Sequence, residues 1–142
     1  METEKIIRAL GKTSRIFHGF LDEEIVEVLR RCASKSVKDK EAIFKEGTKG
    51  DSLYVIVSGS VVVKKEGKTI DVIRAGECFG EMGAFTEEVR SASAEADGDV
   101  ILLAMEADKI LAMRSEVLVK LLKNIVLVLS ERLRERIEEK VH

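Results

Sequence analysis

Glu77-Cys78-Phe79-Gly80-Glu81-Met82-Gly83-Ala84-Phe85-Thr86-Glu87-Glu88-Val89-Arg90-Ser91-Ala92 interrupts an otherwise regular pattern. The residues on either side alternate with period two, as half-buried strands do. Within the stretch, Gly80 and Gly83 flank an acid, and Glu81 to Phe85 is long enough for one helical turn. A short helix after Gly80 turns backbone N–H groups outward, an arrangement that suits an anion. Gly83 allows an anion to come close to the backbone. Arg90 then re-enters a strand beside the small Ser91 and Ala92. Turn, acid and arginine in this order compose a phosphate pocket. The N–H cradle and the guanidinium bind the anion, Ser91 adds a hydroxyl donor, and Glu81 accepts hydrogen bonds from a sugar hydroxyl.

Outward from this stretch, strands are expected at Ser34–Val37, Ala42–Phe44, Leu53–Val57, Val61–Lys65, Thr69–Ile73, Ser91–Ala96 and Val100–Met105. Ser58-Gly59, Glu66-Gly67 and Asp97-Gly98 read as the turns between neighbours, Asp-Gly being a strong hairpin signal. Seven of the ten glycines lie between Gly47 and Gly83, and there is no proline, so glycine and Asn/Asp must make the turns. Before the strands the period is helical. Ile6, Ile7 and Leu10 form a stripe that Gly11 ends, and Asp22 is placed to cap a helix carrying Ile25, Val26, Val28 and Leu29. After Met105, Glu106–Met113 reads as a short helix, and Ser115 opens a long one with the stripe Leu118, Leu121, Leu122, Ile125, Val126, Leu129, Leu133, Ile137. The fold class is mainly β with flanking helices: an antiparallel, jelly-roll-like β-roll (a double-stranded β-helix) with N-terminal helices and a long C-terminal helix. One domain is expected over residues 1–142, divided into N-terminal helices at 1–33, the β-roll at 34–105 and C-terminal helices at 106–142.

Composition narrows the function. The 142 residues carry 24 basic and 26 acidic side chains, net −2, which argues against nucleic-acid binding by this chain alone and against an anionic membrane surface. No apolar run is long enough to span a membrane, and Met1-Glu2-Thr3-Glu4-Lys5 does not read as a signal peptide, so a cytoplasmic location is expected. Cys32 and Cys78 fit no metal-ligand spacing. Together with His18 and His142 they suggest reduced thiols and no metal. There is no Ser-His-Asp set and no acid/base pair facing a scissile bond, so the chain reads as a non-enzyme. Cys78 reads as a small buried filler rather than a redox sensor.

Phe79-Gly80-Glu81-Met82-Gly83-Ala84 followed by Arg90-Ser91-Ala92 resembles the phosphate-binding cassette of cyclic-nucleotide-binding domains, here residues 79–92. Such domains occur in catabolite activator proteins, protein kinase A regulatory subunits and cyclic-nucleotide-gated channels. Gly50-Asp51, Tyr54, Gly59 and Val61 match the family's second pattern, and Gly76 matches the glycine before the cassette. The resemblance implies that Glu81 holds the ribose 2′-hydroxyl and that Arg90 pairs with a cyclic-phosphate oxygen. It implies that N–H groups near Gly80, Met82, Gly83 and Ala92, with the Ser91 hydroxyl, complete the phosphate cage. Val72 and Ile73 would line the base pocket. The matching turn of the long helix holds Val128, Arg132 and Leu133, and Arg132 is the candidate for contact with the purine. The acidic pair Glu87-Glu88 lies where it would weaken anion binding.

The resulting expectation is a cyclic-nucleotide sensor module, with cAMP ahead of cGMP. It would signal through movement of the C-terminal helix to a downstream protein that the sequence does not identify. Leu122, Val126, Leu129, Leu133 and Ile137 repeat as a helix seam does, which makes a homodimer through this helix the preferred use of the part beyond Leu129. Other readings stand beside this one. Arg90 could be a surface arginine paired with Glu81, Glu87 or Glu88. The domain could keep the fold and bind another ligand or none. It could also be the sensor fragment of a longer transcription regulator, kinase or channel, since no helix-turn-helix follows the long helix before His142.

Overall fold

The computed structural model describes residues 2–141, so Met1 and the expected chain end at His142 lie outside the described residues. Helix α1 (Glu2–Thr13) is followed by a 3₁₀ turn at Arg15–Phe17 and by α2 (Asp22–Leu29). The strands are β1 (Ala33–Val37), β2 (Ala42–Phe44), β3 (Ser52–Lys65), β4 (Lys68–Arg74), β5 (Cys78–Phe79) and β6 (Ser93–Glu106). Helix α3 (Glu81–Phe85) lies between β5 and β6, and α4 (Ala107–Leu111) and α5 (Ser115–Val141) close the chain. The strand order is β1-β6-β3-β4, with β2 also on β6 and β5 also on β3, and every pairing is antiparallel. This is the antiparallel β core with flanking helices and a long last helix that the sequence pattern implies.

Two of the expected hairpins are absent, because β3 and β6 each run unbroken for 14 residues. Ser58 pairs with Ile101 but Ser60 pairs with Asp97, so both strands bulge at one level. Gly59 and Gly98 there have φ of 92° and 78°, and a side chain at Gly59 would meet the Asp99 carbonyl. The Asp97-Gly98 signal therefore marks a corner where paired strands bend together rather than fold back. The Asp39 carboxylate accepts the Gly98 N–H at 2.8 Å and fixes that corner. Glu66-Gly67 does form the expected hairpin, with Lys65 opposite Lys68 and both turn residues at positive φ. Strand β6 starts at Ser93 rather than Ser91, α1 continues through Gly11 to Thr13, and Leu21 rather than Asp22 stands at the α2 N-cap. Leucine has no capping oxygen; the Glu24 carboxylate instead reaches back to the Leu21 N–H at 2.8 Å.

Alternation along the long strands divides the apolar residues between two cores. Leu53, Val55, Leu103 and Met105 point to the helices and pack with Leu10, Ile16, Ile25, Val28, Ile110, Leu121 and Ile125. Tyr54, Ile56, Leu102 and Ala104 point into the roll, with Val61, Ile73 and Phe79. Asn124 ties α5 to the 3₁₀ turn, donating through Nδ2 to the Ile16 carbonyl at 2.6 Å and the His18 carbonyl at 2.9 Å.

Cys78 is fully buried in the helix-side core, and burial pushes its thiol up to about 12 from an ordinary 9.0. A thiol kept neutral by the fold contributes stability in full below pH ~9 and loses it as pH rises toward 12. At pH 10 the loss is on the order of 1 kcal/mol for this group. Urea unfolding at pH 8 and pH 10 should therefore show a smaller alkaline loss in Cys78→Ala than in the parent. Equal losses in the two proteins would contradict this account.

Candidate functional site

Strand β5, α3 and the segment leading into β6 place the 79–92 stretch over the open end of the roll. Gly80 caps α3 with φ 83°, a left-handed conformation that costs glycine little, and the turn closes by Ala84 N–H donating to the Gly80 carbonyl at 3.1 Å. A cavity of about 320 Å³ lies between this stretch, the inner face of the roll and α5. Gly80, Glu81, Met82, Gly83, Glu88, Val89, Arg90, Ser91 and Ala92 form one end. Ile70, Asp71, Ile73, Phe44, Val63 and Phe79 form the strand wall, and Leu129, Arg132, Leu133 and Arg136 of α5 form the remaining side.

Arg90 is 4% exposed, so it is not the surface arginine of the alternative reading. Its Nη1 donates to the Gly80 carbonyl at 2.7 Å and its Nη2 to the Ser52 carbonyl at 3.0 Å. The guanidinium lies 4.3 Å from the centre of the Phe44 ring. Gly50 and Gly83 pack against it from two sides: a Cβ on Gly50 would lie 2.6 Å from Nη2, and a Cβ on Gly83 would also collide with the guanidinium. Carbonyls satisfy N–H donors without neutralising a cation. Burial accordingly pulls Arg90 below the ordinary arginine value, while Tyr54, Asp51 and Glu81 act in the opposite direction. Two residues of the cavity wall each carry a buried polar atom without a partner: Arg90 Nε, a donor packed toward Gly50, and Glu81 Oε2, an acceptor.

Nine of the ten sequence-derived site residues, all but Val72, line this one cavity: Gly80, Glu81, Met82, Gly83, Arg90, Ser91, Ala92, Ile73 and Arg132. Val72 is not on its wall. It pairs with Val62 between Asp71 and Ile73, and strand alternation turns it away from the face that Ile73 presents. The wall at this level is made by Asp71 and Ile73 instead. Arg132 is not a free base-stacking group. Its Nη2 donates to the Cys78 carbonyl at 2.6 Å and pairs with Glu77 at 3.3 Å, which fastens α5 to the start of the cassette. Arg15 of the 3₁₀ turn joins the same cluster, bonded to Glu131 and 3.8 Å from Glu77. Phe44, Gly50, Ser52, Asp71 and Arg136 were not singled out as site residues in the sequence. Gly50 carries a signal, a glycine not needed for positive φ, but its reason is a contact 40 residues further along the chain. Among the described residues no group of three or more His, Cys, Asp or Glu side chains could hold a metal, and no helix is long and apolar enough to cross a membrane.

A β-roll whose open end holds a buried, un-neutralised arginine beside a glycine-capped turn defines a class of small-anion-binding domain. Residues 34–116 match the model of the cyclic nucleotide-binding domain, and the chain belongs to that family. It is 34% identical over 129 residues to the cyclic AMP receptor protein of Thermus thermophilus, covering 87% of this chain and 59% of that protein. The crystal structure of a cyclic nucleotide-binding domain from Methylobacillus flagellatus KT superposes with a TM-score of 0.84 at 27% identity, covering 97% of this chain and 82% of that one. A cGMP-dependent protein kinase of Eimeria tenella is 36% identical over 74 residues, covering 52% of this chain but 7% of the kinase. The chain thus spans about three-fifths of the receptor and a small part of the kinase.

Proposed function

We propose that this domain is a non-enzymatic cytoplasmic sensor that binds a cyclic nucleotide, cAMP ahead of cGMP, in the cavity under α5. The observation that carries this reading is the pair of unpartnered buried atoms on two residues that line the same cavity. Arg90 Nε requires an acceptor and a negative charge; Glu81 Oε2 requires a hydroxyl or N–H donor. A ribose cyclic phosphate supplies both on one rigid ring. In this reading Arg90 pairs with the phosphate, and Glu81 accepts from the ribose 2′-hydroxyl. N–H groups of Met82, Gly83 and Ala92 complete the cage with the Ser91 hydroxyl, as the first-turn N–H groups of a helix have no partner within it. Glu88, on the same wall, opposes the anion and keeps the affinity moderate.

The signal is a population shift. A ligand that binds better when the cassette and α5 are closed over it draws both inward. Arg132, bonded to the residue before Phe79, carries cassette movement directly into α5. The outer face of α5 presents Val119, Val126, Leu133 and Ile137, all more than half exposed, and this face pairs with a second copy of the chain.

Titration calorimetry with cAMP, cGMP and 5′-AMP tests the reading, with thermal unfolding in parallel. Cyclic nucleotide should bind at one site per chain, and at a hundredfold excess over Kd it should add about 2.7 kcal/mol of stability. 5′-AMP carries an open, doubly charged phosphate and should bind far more weakly. No heat and no stabilisation with either cyclic nucleotide would leave a domain that has kept the fold for another ligand.

A further inference from the structure

Next to Arg90, one peptide of the cassette is held by a side chain that comes from outside it. Lys65 is the last residue of β3, and its Nζ donates to the Ser91 carbonyl at 2.9 Å. That carbonyl and the Ala92 N–H belong to one peptide unit. A trans peptide points its C=O and N–H in opposite directions, and among the described residues no peptide bond is cis. A donor on the Ser91 oxygen therefore directs the Ala92 N–H to the side away from Lys65. Ser91 and Ala92 both line the cavity. Arg90, just before them, is fastened differently. Its carbonyl accepts the Gly47 N–H at 2.8 Å, and its N–H donates to the Thr48 carbonyl at 2.7 Å. Those are backbone bonds, set by the path of the chain. The Ser91–Ala92 peptide depends on one side chain, brought from the β3–β4 hairpin 26 residues away.

We infer that Lys65 is a positioning residue for the anion: it aims the Ala92 N–H at the phosphate and strengthens that N–H as a donor. The inference rests on the cyclic-nucleotide reading of the cavity. An ammonium on the carbonyl polarises the whole peptide, since linked hydrogen bonds reinforce one another. The adjacent Lys64 is paired with Glu95 at 2.9 Å, so its charge is offset. Lys65 instead binds a neutral carbonyl, which leaves the ammonium charge uncancelled by its partner. That charge adds to the field of Arg90 and works against the opposing carboxylate of Glu88 on the cavity wall. Neither effect involves the base, so Lys65 raises affinity for any ligand with the same cyclic phosphate.

Calorimetric Kd values for cAMP and cGMP test this in the full chain and in Lys65→Met, Lys65→Arg and Lys68→Met. Lys68 lies opposite Lys65 across the same hairpin, so its loss removes an equal charge without the bond. Lys65→Met keeps the aliphatic stem and should weaken both nucleotides alike, by about three- to tenfold, the effect of one ordinary hydrogen bond. Lys65→Arg restores a charged donor and should regain most of that affinity. Lys68→Met should stay within about twofold of the parent, because solvent and salt screen a charge that only stands nearby. In NMR spectra of the isotope-labelled parent, cAMP should move the Ala92 amide proton downfield, and Lys65→Met should reduce that displacement. A merely structural lysine would instead lower the urea midpoint of the ligand-free domain and leave the Ala92 displacement as in the parent; that result overturns the inference. Parental affinity in Lys65→Met, or equal losses in Lys65→Met and Lys68→Met, also overturns it and leaves the sensor reading intact. Failure of the parent to bind either nucleotide overturns the sensor reading itself, and this role with it.

Discussion

Arg90→Ala is expected to lower cyclic-nucleotide affinity about a hundredfold, roughly 3 kcal/mol, the scale of a charge-assisted bond to a buried phosphate. The structure adds a second consequence. Arg90 also holds the Gly80 and Ser52 carbonyls, so its loss removes partners from one backbone group within the cassette and one at the start of β3. Against that, a buried cation without a direct ion-pair partner, offset only in part by Asp51 and Glu81, costs free energy to keep in place. These opposing effects should leave the ligand-free domain less stable by only about 1–2 kcal/mol. Affinity therefore falls more than stability does. Arg90→Lys separates the two further: it keeps the charge but loses the planar fork that serves two carbonyls and an anion together. It should recover part of the affinity, with calorimetry and urea unfolding on the same samples as the measurements. Parental affinity in Arg90→Ala would remove the phosphate from this end of the cavity.

The same arginine shows how far the site was legible in the sequence. Gly80, Glu81, Gly83 and Arg90 are close in the chain, and their order carries the chemistry of an anion turn, so their convergence could be read directly. Helix α3 begins and ends where Glu81 to Phe85 suggested. The supports of Arg90 could not be read in this way. Phe44, Gly50 and Ser52 come from β2, the loop before β3 and the start of β3, and only the pairing of β3 with β5 and of β2 with β6 brings them to the guanidinium. Nothing local marks such a contact. Val72 was misplaced for a different reason: two adjacent apolar residues in a strand cannot share a face, and the sequence does not say which of them faces the ligand. At Asp97-Gly98 the local signal was real but served another geometry. The positive φ that suits a hairpin also suits a bulge, and the partner strand with its own glycine determined the outcome.

Ending the chain at Ser130 is expected to separate the two uses of α5. The side chains that fix the helix to the helix-side core are Val117, Leu121, Ile125 and Val128, all before the cut. Beyond it lie the Glu131 contact with Arg15, the Arg132 bonds to Cys78 and Glu77, and the cavity wall formed by Leu133 and Arg136. Exposed ion pairs contribute little and Arg132 is one partly buried group, so the truncated domain should lose no more than about 2 kcal/mol of stability. Affinity should fall more than that loss suggests. Leu133 is 62% exposed without ligand, and covering a leucine with a base is worth about 1.5–3 kcal/mol when burial is complete. Loss of this wall together with the Arg132 tether to the cassette should weaken cyclic-nucleotide binding at least tenfold. Leu133 and Ile137 also form the distal half of the exposed seam, so sedimentation should show weaker self-association in the truncated chain. Unchanged affinity would confine the site to the roll and its cassette; unchanged self-association would move the pairing surface to Val119 and Val126 or off α5 altogether. Loss of affinity with self-association intact would make the end of α5 a lid for its own chain, with the partner helix bound elsewhere.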